Sequence, residues 1–515
     1  MSESRTKKSL KNSLVALMMY LVNLVLQFIS RKIFLDYLGT EILGLNTTVN
    51  NILQFLNLAE LGIGVAVSFS LYLPLAKNDY EKIKDICIVQ GILYRKIGFL
   101  IIISSLILMC FFPLIFKKMS LPLWYAYASF LVLLFSSLLS YFINYKQIVL
   151  SANQQNYKII YSSKAIMALK VVFQVIFIRY FPDGYIWWLI WEVIFAIISC
   201  YCLNKTIYKE FPYLKNLNLH SKELLDKYPE IVKKTKEVFV HKISGFALTQ
   251  ISPIIIYGII SMTMVAIYGN YMLIVTGIYS LLNAIFNGMT ASVGNLISGN
   301  DTLKSLRVFR ELFSSRFLIS TTICSVLVVF ANPFISLWIG SEYLLGESSI
   351  FLIIGILFIN TTRSVVDSYI YAYGLFHDIW AAILETILNI GLSIIWGFQF
   401  GLNGILSGVI TSLFIIYVIW KPFFLFKSAL KINYFIYLKL YSKHIIISVC
   451  LILTNYLMCK LYLSDIHFSW LKLISFTLID ATIIFSIAGC ILYLTDSGIR
   501  IFATRCYDLI FLRRN

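Results

Sequence analysis

Apolar positions along this chain do not alternate with polar ones, and they do not form narrow stripes. They come in long blocks, each approaching or exceeding the roughly 20 residues that carry an α-helix across about 30 Å of hydrocarbon. The blocks predict helices at 12–33, 43–72, 92–116, 122–145, 157–181 and 185–207. After a polar interval they resume at 236–260, 263–298, 308–331, 347–374, 378–399, 402–426, 444–463 and 471–494. The expected fold class is all-α integral membrane, with about 14 transmembrane helices, or twelve to thirteen if the final pair is re-entrant. The polar interval at 208–235 holds Pro212 and Pro229 and alternates Lys with Glu and Asp, which predicts a linker with a short amphipathic helix. The expected organisation is therefore an N-terminal six-helix bundle at 1–207, a cytoplasmic linker at 208–235, and a C-terminal six-helix bundle at 236–430. A final helix pair and basic tail at 431–515 follow.

Composition supports lipid as the solvent. Hydrophobic residues make up 59% of the chain and charged ones 13%, with mean hydropathy +0.82, whereas a soluble domain carries about 25% charged residues. A net charge of +18 suits either nucleic acid or an anionic membrane face, and position decides between them. Placing both termini in the cytoplasm puts Lys7, Lys8, Lys82, Lys84, Arg95, the Lys205–Lys236 run, Arg307, Arg310, Lys421–Lys443 and Arg500–Arg514 on the inside. The outside loops retain Arg31, Lys32, Lys117, Lys118, Arg179, Lys460 and Lys472. Such a bias orients a multi-pass protein and forms a basic collar on the inner leaflet, so nucleic acid is not required. The N-terminal apolar run exceeds a signal-peptide core and is expected to be retained as the first span.

Candidate chemistry is sparse. The nine cysteines fall mostly within apolar runs without metal-ligand spacing, and read as small hydrophobes. No Gly-rich phosphate loop, HExxH helix or nucleophile elbow is present, so neither catalytic residues, metal nor cofactor is expected. Polar residues nevertheless align. In the second span Asn46, Asn50, Gln54, Asn57 and Glu60 fall within about 120° of one another at 100° per residue. In the eighth, Tyr268, Thr276, Tyr279, Asn283, Asn287 and Thr290 do the same. Matched stripes in equivalent helices suggest a parallel repeat, and each stripe serves either as interhelical glue or as the lining of a shared cavity.

Ionisable residues inside spans are costly, on the order of 3 kcal/mol each at mid-bilayer, and face a cavity or a partner. Lys170, at the centre of the fifth span, has no acidic neighbour in its own helix; Lys164 lies about two turns away. Lys170 therefore needs a partner in another span or an anionic ligand. Arg363 and Asp367 sit at i,i+4 in the tenth span and can pair along one face. Glu192 is a coupling or structural charge, as are Glu60 and Asp367, while Lys242 and Glu385 lie near enough to helix ends to snorkel. Asp480 reads as structural. The cationic excess of such a pore would attract a diphosphate and repel cations.

Several passages carry a resemblance. Tyr37-Leu-Gly-Thr-Glu41-Ile-Leu-Gly-Leu-Asn46, Leu58-Ala-Glu-Leu-Gly-Ile-Gly64 and Ser68-Phe-Ser-Leu-Tyr-Leu-Pro-Leu-Ala76 resemble the opening of bacterial polysaccharide repeat-unit flippases. These are the Wzx-type, polysaccharide transporter branch of the multidrug/oligosaccharidyl-lipid/polysaccharide exporter superfamily. Thr290-Ala-Ser-Val-Gly-Asn-Leu296, the stretch 371–378 and Gly401 through Pro422 fit the same family, and the likeness spans roughly 10–430. The resemblance implies two six-helix bundles around a cationic central cavity, two further helices, and alternating access. Its implied cargo is an oligosaccharide on undecaprenyl diphosphate, bound for capsule, O-antigen or a similar polymer. Expected partners are that lipid-linked substrate, membrane lipids and other polysaccharide assembly proteins. Lys170, Arg363, Lys164, Lys242, Asn46, Asn50, Asn57, Tyr279 and Asn283 are the candidate binding residues. A multidrug or metabolite antiporter of the same superfamily is the alternative, with a membrane polymerase or glycosyltransferase disfavoured by the short outside loops.

The charge bias yields a direct expectation for topology. A reporter active only outside the cell, fused at residue 220, should give no signal; a strong signal would invert the map.

Overall fold

The computed structural model describes residues 5–57, 63–215, 217, 223–233, 235, 251–297, 302–373, 375, 378–463 and 466–511. The described residues are almost entirely helical, and packing divides the chain into two compact units, 1–266 and 267–515. Among the described residues, eleven helices are long and apolar enough to cross a bilayer, which makes this a multi-pass membrane protein. Two of the eleven exceed any single crossing. Leu14–Leu56 has 43 residues and Ile379–Leu430 has 52, or about 65 and 78 Å at 1.5 Å per residue. Both are interrupted by a glycine with positive φ, Gly39 at 83° and Gly401 at 59°. Those interruptions fall in the short gaps between the predicted spans 12–33 and 43–72, and between 378–399 and 402–426. Split at these glycines, the two long helices overlap four of the predicted spans. The predicted span 236–260 lies largely outside the described residues.

The first unit contains α1 (Arg5–Leu56), α2 (Ile63–Lys77), α3 (Tyr80–Cys110), α4 (Trp124–Phe142), α5 (Ala165–Tyr180), α6 (Gly184–Glu210) and the short α7 (Glu223–Lys227). Asp79 caps α3 by accepting from the Lys82 amide at 3.1 Å. Helices α5 and α6 pack on each other, α1 on α5, and α4 on α6. Leu45, Val49, Phe112 and Phe130 are fully buried among them. Part of the linker folds back on this unit: Lys227 pairs with Asp85 at 2.8 Å and the Tyr228 hydroxyl donates to the same carboxylate at 3.1 Å.

The second unit takes in α8 (Met262–Ile297, whose first five residues belong to the first unit), α9 (Thr302–Trp338), α10 (Glu347–Ala372) and α11 (Ile379–Leu413). It continues with α12 (Phe435–Leu463), α13 (Trp470–Thr495) and α14 (Ser497–Phe511). Helix α9 is the hub, touching α10, α12, α13 and α14. Its Phe309, Phe313 and Phe317 form a buried aromatic column with Tyr369, Phe426 and Tyr437. The segments either side of Gly401 pack as a tight hairpin. An added Cβ on Gly408 would stand 2.5 Å from the Ser393 backbone nitrogen, so a side chain there would force the two segments apart.

Helices α12 and α13 have 29 and 26 residues, each long enough for a full crossing. They are tied to the hub by polar contacts: Thr321 to Ser448 at 2.6 Å, and Asn455 to both Ser325 at 3.0 Å and Asp480 at 3.2 Å. At the α13–α14 junction Asp496 accepts from Ser314 at 2.5 Å and lies 3.3 Å from Lys443. Burial alone would raise this carboxyl, but the Ser314 hydroxyl, His444 and Lys443 together hold it below its ordinary value.

Candidate functional site

In the first unit the structure gives four of the six described candidate residues a protein partner. Lys170 of α5 forms an ion pair with Glu192 of α6, Nζ to Oε1 at 2.7 Å, and Gln174 donates to Oε2 at 3.1 Å. Glu192 is 6% exposed, so this is a buried, hydrogen-bonded pair. Of the two partners the sequence left open for Lys170, the structure supplies the neighbouring span. The second-span stripe is also partly spent on packing. Asn46 accepts from Ser129 of α4 at 2.7 Å, and Ser129 also meets the Tyr185 hydroxyl. Asn57 accepts from Ser137 at 3.1 Å and from Tyr141 at 3.0 Å. Asn50 and Lys164 are exposed. Glu60 and Lys242 lie outside the described residues, and the side chains of Asn287 and Thr290 are not among those described.

The second unit holds a different arrangement. Arg363 of α10 lies with its guanidinium carbon 3.7 Å from the centre of the Tyr417 ring, a close cation–π contact. Asp367, one turn on, comes within 3.8 Å of Nε, an ion pair at a distance too long for a hydrogen bond. Arg363 Nε and Nη1 are buried and have no hydrogen-bond partner. The Tyr417 hydroxyl donates to Glu385 Oε2 at 3.0 Å, while Glu385 Oε1 has no partner. One tyrosine thus offers its face to the arginine and its hydroxyl to the glutamate. Lys421 pairs with Asp378 at 2.8 Å beside them, and Tyr279 of α8 interacts electrostatically with Arg363. Asn283 is half-buried one turn beyond Tyr279.

Local backbone explains how Tyr417 reaches this position. Residues Phe414–Trp420 form a π-helical stretch, and the Pro422 ring nitrogen that follows cannot donate to the Val418 carbonyl. The widened turn rotates side chains off the α-helical register, as π-bulges do at functional sites. Of the residues singled out from the sequence, the structure brings Arg363, Asp367 and Tyr279 together, and Tyr417, which joins them, was not among those residues. It also misplaced Glu385, expected near a helix end and free to snorkel. At 1% exposure, Glu385 instead points into the bundle, because Ala381, Glu385, Asn389 and Ser393 share one buried face of α11. That i,i+4 polar–small stripe, continuing to Gly397, was the available signal.

No family model matches the sequence, and no curated protein matches it. Solved structures do. A lipid II flippase, MurJ, in its inward closed conformation aligns with a TM-score of 0.63 and 14% identity, covering 94% of this chain and 99% of that one. An inward-facing multidrug resistance MATE family transporter of the MOP superfamily aligns with a TM-score of 0.60 and 15% identity, covering 81% and 99%. An outward-facing MATE transporter of the same superfamily gives 0.53 and 16%, covering 82% and 96%. The chain has the fold these transporters and the flippase share.

The Lys170–Glu192 pair has a testable consequence. Lys170→Ala strands a buried carboxylate and should cost about 3–5 kcal/mol, whereas Lys170→Ala with Glu192→Ala should recover most of that loss. Thermal unfolding of the purified protein measures both. An unchanged melting temperature for Lys170→Ala would mean that the pair carries no structural weight.

Proposed function

We propose that this protein is a flippase that carries an oligosaccharide linked through diphosphate to a polyprenyl lipid across the bacterial inner membrane by alternating access. The product would feed capsule, O-antigen or a similar surface polymer, with both termini in the cytoplasm. The observation that carries the reading is Arg363: a guanidinium whose Nε and Nη1 are buried without a hydrogen-bond partner, held by an aromatic face and a long ion pair. Charge-assisted hydrogen bonds are worth about 1.5–3 kcal/mol, and a diphosphate oxygen is the acceptor such a fork fits best. Arg363 is assigned to the diphosphate, with Tyr279 and Asn283 on the neighbouring stripe as candidate sugar contacts.

The fold likeness supports the same reading. The alignment with the lipid II flippase extends over 94% of the chain, against 81% for the inward-facing MATE transporter. A multidrug or metabolite antiporter is the second reading, favoured by two carboxylates within the bundle, the half-buried Asp367 and the buried Glu385.

Arg363 variants separate binding from folding. Arg363→Ala should weaken binding of a soluble diphosphate diester about ten-fold or more, since each 1.4 kcal/mol is a factor of ten, and should abolish surface polymer at normal membrane abundance. Arg363→Ala with Asp367→Ala should be as stable as wild type yet remain inactive. Restored polymer in the double variant would make the pair purely structural and defeat the assignment.

A further inference from the structure

Among the described residues, cations and carboxylates around Arg363 are not paired one to one. The groups that bear on Glu385 are Arg363 and Asp367 of α10, Tyr417 of the π-helical stretch and Lys421 beyond it. Asp367 in turn feels Arg363, Lys421 and Asp378. Tyr279 of α8 interacts electrostatically with Arg363, and Arg316 of α9 with Tyr279. Lys421 and Asp378 are committed to each other at 2.8 Å. Arg316 bears on Tyr279, so among the described residues Arg363 is the guanidinium that bears on both Asp367 and Glu385, and it makes a hydrogen bond of ordinary length to neither.

The two carboxylates are not equivalent. Asp367 keeps a side chain 28% exposed and sits one turn along the helix from Arg363. Glu385 is 1% exposed, and its charge has one hydrogen bond, from Tyr417, with Oε1 unpartnered. A buried carboxylate with a bare oxygen is the species a low-dielectric interior tolerates least. Asn389, one turn on along the same buried face, also has an unpartnered amide nitrogen. Because the two ends of an amide are assigned from its hydrogen bonds, that side chain can serve Glu385 as donor or, turned over, as acceptor.

An anion arriving at Arg363 competes with both carboxylates for one cation. Adding two negative charges where two carboxylates already share Arg363 is opposed unless a charge is removed, and proton uptake by the least supported carboxylate removes it. Building on the diphosphate reading above, we propose that Glu385 takes up one proton when Arg363 engages a diphosphate, so that anion binding and proton binding at this site are linked. Tyr417 couples the two, since its ring holds the arginine and its hydroxyl holds the glutamate. The proton comes from water and resides on a Glu385 oxygen; no other bond is made or broken.

The test uses the full-length protein in detergent and P1,P2-dimethyl diphosphate, a diester whose two charges do not titrate near neutrality. Calorimetry in two buffers of different ionisation enthalpy counts protons taken up by the wild type, and affinity is followed against pH. The expected result is uptake of about one proton and affinity rising about ten-fold per unit fall in pH. Glu385→Gln should bind with a pH-independent affinity and no uptake, while Asp367→Asn keeps the dependence. Binding that needs Arg363 but takes up no proton overturns this inference and leaves the diphosphate reading standing. Transfer of the pH dependence to Asp367 overturns the choice of Glu385. Failure of the wild type to bind the diester, or binding unaffected by Arg363→Ala, overturns both readings. Should Glu385→Gln not fold, the wild-type proton count alone decides whether the linkage exists, and Tyr417→Phe, which removes the bridge between arginine and glutamate, decides the site: it should diminish the uptake, and unchanged uptake overturns Glu385.

Discussion

Inside a bilayer a guanidinium cannot lose its proton and has no bulk water to dissolve its charge, so surrounding groups must hold it. The second unit answers that demand at Arg363 with a ring face, a carboxylate one turn away and a second carboxylate reached through Tyr417. Other features of the region follow from it. The π-helical stretch ahead of Pro422 sets Tyr417, the stripe from Ala381 to Gly397 turns Glu385 inward, and the break at Gly401 folds α11 against itself. Donors are left over once these contacts are made, and a cationic site with spare donors is suited to an anion.

The first unit handles a similar charge differently. Lys170 and Glu192 meet at 2.7 Å and Gln174 takes the remaining oxygen, which leaves that carboxylate saturated. The lysine and the arginine thus reach opposite ends of one scale, one closed by direct pairing and the other incompletely served. The contrast is why the anion site is assigned to Arg363 and not to Lys170, even though in the sequence Lys170 was the charge without an acidic neighbour in its own helix and Arg363 the one with Asp367 at i,i+4.

Much of the fold was legible because hydrophobic length is a strong signal in lipid. The spans either side of Gly39 and Gly401 were separable because their combined lengths exceed any bilayer and small residues mark the break. Arg363 with Asp367 was readable from i,i+4 spacing alone. Partners in other helices were not: nothing in the local sequence says that Glu192 reaches Lys170, or that Ser129 and Ser137 occupy Asn46 and Asn57. Tyr417 was hidden by a π-helical register that a 100° wheel cannot represent. Glu385 was misread because distance along the helix from its end outweighed, in that reading, the buried face it shares with Asn389 and Ser393.

The central claim is that the protein moves a lipid carrying a sugar through a diphosphate. Purified protein reconstituted into liposomes with a fluorescent polyprenyl-diphosphate oligosaccharide in the inner leaflet tests it most directly, with a membrane-impermeant quencher reporting arrival outside. The account predicts quenching that grows with protein content, is competed by excess unlabelled diphosphate lipid and is absent for the corresponding polyprenyl lipid lacking phosphate. Equal movement of the phosphate-free lipid, or export of cationic dyes with none of the diphosphate lipid, would contradict it.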